Sequence, residues 1–184
     1  MRKNIAAIFT GGTISMQPDA AFGGVVPKLN ASEILSSVKE IFSTAELTTI
    51  EFGSYPGPHI TPEIMLRLSK TVQSLVDRTD IDGVVITHGT DTLEETAYFL
   101  DIAVNTTKPI VVTGAMRNSS EADWDGPRNL RESVRLASHD SLCGLGTVVC
   151  LSDSINAASE VSKTDSSELN TFESFDFGPL GRIF

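Results

Sequence analysis

The sequence predicts a three-layer α/β domain, with a mostly parallel sheet held between two layers of helices. Three observations predict it. Residues 5–9, 84–87, 110–113 and 146–152 are short runs that are apolar almost throughout, the pattern of strands covered on both faces. These runs alternate with segments of helical spacing, as crossover helices between parallel strands require. The 184 residues, 40% hydrophobic and 21% charged, suit one compact unit with a sizeable core.

The elements follow in order. Residues 5–9 end at Thr10-Gly11-Gly12-Thr13, a tight turn that delivers Thr13 to the carboxyl end of the first strand. Residues 17–28 collect Pro18, Asp19, Gly23, Gly24 and Pro27 and are expected as a mobile loop. Asn30-Ala31-Ser32-Glu33 reads as a capping box, and Ile34, Leu35, Val38, Ile41 and Phe42 continue it as one helix. A strand over 47–52 leads through a proline-rich turn to Thr61 and Pro62, the N-cap and first position of a helix. The apolar face of that helix is Ile64, Met65, Leu68, Val72, Leu75 and Val76.

The strand over 84–87 exits through His88-Gly89-Thr90-Asp91, after which Thr92 and Glu95 are expected to cap a helix reaching about Val104. The strand over 110–113 exits through Gly114-Ala115-Met116-Arg117, and Asp125-Gly126-Pro127 opens a helix through Leu130, Val134 and Ala137. Beyond 146–152 the chain is rich in Ser, Asp and Asn and shows no further element.

Composition excludes several classes of function. A net charge of −10, with no stripe among the 14 Lys and Arg residues, argues against nucleic acid as a partner. No apolar run nears the ~20 residues that span a bilayer, and the first strand is too short for a signal-peptide core. A cytoplasmic location without membrane contact is expected. Cys143 and Cys150 lack a metal-binding spacing and are expected as buried free thiols.

In a sheet of this kind ligands bind outside the carboxyl ends of the strands, so Thr13, Thr90, Asp91 and Ala115 are expected to share one crevice. The Thr10–Thr13 turn taken alone reads as either an anion cradle or a plain glycine turn; it lacks the lysine of a P-loop and the third glycine of the dinucleotide fingerprint. Asp91 between two threonines suits recognition of an ammonium group, with a threonine free to act as nucleophile. Alternatively, Thr90 or Thr92 caps the helix and Asp91 complements its dipole. His88 is open to a general-base or a structural role. Lys163, among Ser162, Thr164 and Asp165, is either a solvated lysine or the base that a threonine nucleophile needs.

Five ordered motifs bear on that choice: Thr10-Gly11-Gly12-Thr13-Ile14; His88-Gly89-Thr90-Asp91-Thr92 with Leu93-Glu94-Glu95-Thr96; Gly114-Ala115-Met116-Arg117; Asp125-Gly126-Pro127 with Asn129-Leu130; and Val161-Ser162-Lys163-Thr164 running on to Phe177-Gly178-Pro179-Leu180-Gly181. Together they resemble the bacterial-type L-asparaginase and glutaminase-asparaginase family over essentially the whole chain. The resemblance implies the N-terminal domain of that family, a flavodoxin- or Rossmann-like fold over 1–165, with 166–184 beginning a linker and the smaller C-terminal domain absent. It implies hydrolysis of L-asparagine, with some glutaminase activity, through an acyl-enzyme on Thr13. Thr90 and Lys163 would be the activating pair, and Asp91 the anchor of the substrate ammonium group. Gly12, Gly57, Pro58, Ser54, Gly89 and Ala115 would contact substrate, the backbone near Thr90 and Ala115 serving as oxyanion hole. It implies no metal or cofactor, a small-molecule substrate, and a homodimer or homotetramer.

This sequence departs from the family pattern in three places. Residues 14–28 hold no tyrosine, where the family often places one beside the nucleophile. Gly57 stands where a serine usually meets the substrate carboxylate, with Ser54 as a nearby substitute. The chain stops at Phe184 inside a recognisable motif, which favours a truncated product over a naturally short form. Two rival readings are a non-catalytic amino-acid-binding module and an ammonia-supplying amidase component like a transfer-RNA amidotransferase subunit. The lack of a basic patch counts against the second.

Overall fold

The structure, a computed structural model, describes residues 2–184. Its centre is a seven-stranded sheet built from β1 (Asn4–Gly11), β4 (Glu46–Tyr55), β5 (Gly83–Thr87), β6 (Ile110–Thr113), β7 (Thr147–Leu151), β8 (Ser154–Ala157) and β11 (Gly181–Arg182). The order is β11-β8-β7-β6-β5-β1-β4. All contacts from β4 to β7 are parallel, and β8 and β11 add an antiparallel edge. The expected three-layer α/β architecture is therefore the observed one.

Alternate residues of each central strand serve different layers, which explains why these strands are apolar on both sides. Ala7, Phe9, Val85, Val111 and Val148 pack with α1 (Ala31–Ser36), α2 (Ile41–Thr44) and α5 (Gly126–Ala137). Ala6, Ile8, Ile86, Val112 and Val149 pack with α3 (Pro62–Val76) and α4 (Leu93–Ala103). Each buried Val, Leu or Ile side chain contributes about 1.5–3 kcal/mol, so the two cores hold the strand ends rigidly in place.

The expected caps form at two helices. Asn30 and Glu33 make a reciprocal capping box at α1, and Thr61 caps α3 with Pro62 in its first turn. Elsewhere the structure corrects the sequence reading. The single helix expected from Asn30 onward is broken into α1 and α2. The hydroxyls of Ser36 and Ser37 donate to the Glu33 and Ile34 carbonyls, competing with the helical ladder, and Phe42 ends half-exposed. Thr92 makes no side-chain cap at α4. A 3-10 turn over Thr90–Thr92 precedes the helix, and the Thr92 hydroxyl donates instead to the Gly57 carbonyl at 2.8 Å.

The loop expected over 17–28 contains a hairpin of β2 (Met16–Asp19) and β3 (Gly24–Pro27). Its turn is set by the Asp19 carboxylate, which accepts from the Ala21 and Phe22 N–H groups, and by Gly23 at φ +62. The polar tail also carries strands: β8 and β11 on the main sheet, and a separate pair of β9 (Val161–Lys163) and β10 (Phe172–Ser174). Ser152 and Asp153 join β7 to β8 at φ 47 and φ 63, the left-handed pair that a two-residue hairpin turn demands. Of the two free cysteines, Cys150 is buried as expected, and burial pushes its thiol up to about 12. Cys143 is exposed, because it follows the surface turn Asp140–Leu142.

Candidate functional site

Three exit turns meet with almost no space between their backbones. A Cβ on Gly12, whose φ is +77, would lie 2.5 Å from the Gly89 Cα, and one on Gly89 would lie 2.5 Å from the Gly57 Cα. The Gly12 N–H donates to the Tyr55 carbonyl at 2.8 Å, which ties the turn after β1 to the end of β4. A Cβ on Gly114 would lie 2.6 Å from the His88 carbonyl oxygen, so the exit of β6 closes the fourth side. Gly12, Gly57 and Gly89, expected as substrate-contacting residues, thus form a stack that brings four chain segments to one place.

Above this stack a lysine, a threonine and an aspartate are joined by hydrogen bonds. Lys163, at the end of β9, donates from Nζ to Thr90 Oγ1 at 2.9 Å and to Asp91 Oδ1 at 2.7 Å. An ammonium group can only donate, so the Thr90 hydroxyl accepts here and keeps its own proton available. Thr90 is buried, the Lys163 side chain is 14% exposed and that of Asp91 is 56% exposed. The cluster is closed on the protein side and open at the aspartate. A cleft of about 330 Å³ lies beside it, lined by Asp91, Glu94, Lys163, Thr164, Asp165 and Ser166.

Thr13 follows Gly12 in the first exit turn, half-buried, and its hydroxyl has no hydrogen-bond partner among the described residues. Pro58 is exposed in the 3-10 turn Gly57–His59, whose Gly57 is buried, and Ala115 is fully buried. The backbone N–H groups of Gly57, Thr90 and Ala115 likewise meet no protein acceptor among the described residues. Free N–H groups at strand exits suit an anionic ligand. Ser54 lies apart: its hydroxyl donates to the Pro27 carbonyl at 3.3 Å, and it lines a different cavity of about 260 Å³ with Phe9, Lys28, Glu51 and Thr87.

His88 is fully buried, donates from Nδ1 to the Gly89 carbonyl at 2.8 Å and leaves Nε2 unpartnered. It lines neither cavity. Burial lowers its pKa from 6.5 to about 4, so it is neutral at pH 7 and its geometry is structural. A neutral buried imidazole stabilises the fold fully above pH 6.5, and that stability is lost as pH falls through about 4. Denaturant titrations of the wild type from pH 6.5 to 4 are expected to lose on the order of 3 kcal/mol that His88→Asn does not lose.

Sequence reasoning assigned no role to three residues that shape the site. Asp125 does not cap α5 through its side chain; its carboxylate accepts from the Met116 and Arg117 N–H groups. Asn129 donates to the Gly114 carbonyl and to Asp125, both at 3.0 Å, and accepts from the Ser152 N–H. This buried amide fastens the exits of β6 and β7. Asn129→Ala leaves those partners unsatisfied and is expected to reduce unfolding free energy by about 2–4 kcal/mol in urea. Glu94 accepts from the Ser162 hydroxyl and from the Lys163 N–H. The sequence offered only its place in the motif after Thr92.

The fold is an α/β domain with its candidate site at the carboxyl ends of parallel strands, where such sheets generally bind ligands. Comparison with known proteins narrows this to one family. The family model described as "Asparaginase, N-terminal" matches residues 4–184, and the chain belongs to the asparaginase family, to whose N-terminal domain it corresponds. It is 38% identical over 186 residues to L-asparaginase 2 of Bacillus subtilis, covering 98% of this chain and 49% of that protein. It is 37% identical over 183 residues to the glutaminase-asparaginase of Pseudomonas aeruginosa, covering 98% and 50%. Among solved structures, the probable cytoplasmic L-asparaginase of Campylobacter jejuni superposes with a TM-score of 0.93 at 38% identity, over all of this chain and 56% of that one. The chain thus spans about half the length of the relatives it matches. No helix among the described residues is long and apolar enough to cross a membrane.

Proposed function

We propose that this domain carries the reacting groups of an amidohydrolase that converts L-asparagine to L-aspartate and ammonia, with L-glutamine as a slower substrate. The observation that carries the reading is the Lys163 ammonium held between Thr90 and Asp91 beside the Thr13 turn. Thr13 Oγ attacks the side-chain amide carbon; the Thr90 hydroxyl, held by the Lys163 ammonium, takes the Thr13 proton and passes its own to the departing nitrogen, so the C–N bond breaks with release of ammonia. Water then adds to the aspartyl ester and returns the hydroxyl to Thr13. Asp91, exposed enough to meet ligand, binds the substrate ammonium group. The free N–H groups of Thr90 and Ala115 face the developing oxyanion, and the N–H of Gly57 serves the α-carboxylate. The scheme requires no metal or cofactor. We place the reaction in the cytoplasm, in a homodimer or homotetramer, in keeping with the family resemblance and the cytoplasmic relative.

A second reading is binding without turnover, favoured by the exposed Asp91 carboxylate and by residues 14–28, which hold no tyrosine. Ammonia release from L-asparagine and L-glutamine, measured on this chain and on the longest product of its gene, separates the two. Turnover supports the hydrolase. Calorimetric binding of L-aspartate without ammonia production, abolished by Asp91→Ala, supports the binding module and contradicts hydrolysis.

A further inference from the structure

Lys163 sits on a strand of three residues that belongs to no part of the main sheet; β9 pairs only with β10. A lysine stem on so small an element would wander unless its backbone were fixed elsewhere. Glu94, the second residue of α4, supplies that fixture. One carboxylate oxygen accepts from the Lys163 backbone N–H and the other from the Ser162 hydroxyl at 3.2 Å. Glu94 lies four residues after Thr90, so a closed circuit runs from the Thr90 hydroxyl through Lys163 Nζ to the Lys163 backbone, and through Glu94 back to the segment that carries Thr90. Both carboxylate oxygens are engaged inside the protein, and the first turn of α4 favours a negative charge at that position.

We infer that Glu94 is a positioning residue: it fixes the backbone of Lys163 so that Nζ lies on Thr90 Oγ1, and it does so without touching substrate. The inference rests on the proposed hydrolase reading and assigns to this carboxylate a task distinct from that of Asp91. Hydrogen bonds to a carboxylate are short and strong, and misplacement of a reacting group by ~1 Å costs about 100-fold in rate.

The test is steady-state ammonia release from L-asparagine by the longest product of the gene, with thermal midpoints recorded for each variant. Glu94→Ala is expected to lower kcat about 30- to 100-fold with KM within about 3-fold, since the substrate anchors are untouched. Glu94→Gln keeps an acceptor for the Lys163 N–H and is expected to restore kcat to within about 3-fold of wild type. Glu94→Asp retracts the carboxylate by one methylene and is expected to lose about 10-fold; it decides the matter if Glu94→Ala does not fold. Wild-type kcat in Glu94→Asp or in folded Glu94→Ala overturns the inference, as does a raised KM at unchanged kcat, which would mean direct substrate contact. An inactive wild type overturns the hydrolase reading itself, a result that differs from either.

Discussion

Thr13→Ala is expected to reduce ammonia release from L-asparagine by about 10³-fold or more while leaving the fold intact. The Thr13 hydroxyl donates to no residue and accepts from none among those described, so removing it breaks no internal bond. The side chain is half-buried in a turn whose backbone is held by Gly12 and Tyr55. Unfolding free energy is therefore expected to change by no more than about 0.5 kcal/mol. Thr13→Ser retains a hydroxyl at the same atom and is expected to keep measurable turnover. A coupled assay for ammonia together with urea denaturation checks both halves of the prediction.

Gly89→Ala is expected to damage stability and activity together. The new Cβ would lie 2.5 Å from the Gly57 Cα and 2.7 Å from the Gly57 N. Both are backbone atoms that no side-chain rotation can move aside. Over-packing of this kind costs about 1–3 kcal/mol, and more when the backbone must shift; about 3 kcal/mol is expected here. Separating the turns also moves Thr90 and Asp91 away from the turn of Thr13, so activity is expected to fall about 100-fold. Gly24→Ala is the control, because nothing lies within 4 Å of its Cβ position. It is expected to change stability by no more than about 0.5 kcal/mol. Denaturation midpoints and kcat for the two variants check this contrast.

The central strands were legible because residues such as Ala7 and Val85 serve one core while Ile8 and Ile86 serve the other, which leaves an unbroken apolar run. Helix α3 was legible from Thr61-Pro62 and its apolar face. The hairpin of β2 and β3 and the strands β8 to β11 were not. Most of their residues are polar or only partly buried, and the pairings of β2 with β3 and of β7 with β8 depend on turn geometry at Gly23, Ser152 and Asp153. The break between α1 and α2 falls at Ser36 and Ser37, whose hydroxyls bond back to the preceding turn, a feature that a hydrophobic pattern does not register.

The same division runs through the site. Thr90 and Asp91 were marked by a strand exit, and Lys163 only by residue type and family motif. Its contact with Thr90 spans 73 residues, and that of its backbone with Glu94 spans 69. No local spacing encodes such distances, so the role of Glu94 became visible only in three dimensions. Ser54 shows the reverse. Proximity in sequence to Gly57 suggested a shared task, yet β4 directs it to the Pro27 carbonyl on another wall.

In the proposed reaction the Thr13 hydroxyl forms the covalent bond to substrate. Acid quenching during turnover of L-asparagine, followed by peptide mass spectrometry, tests it most directly. The peptide containing Thr13 is expected to gain the mass of one aspartyl acyl group, and this species is expected to disappear in Thr13→Ala. An acyl group on Thr90 or any other residue, or full turnover in Thr13→Ala, would contradict it.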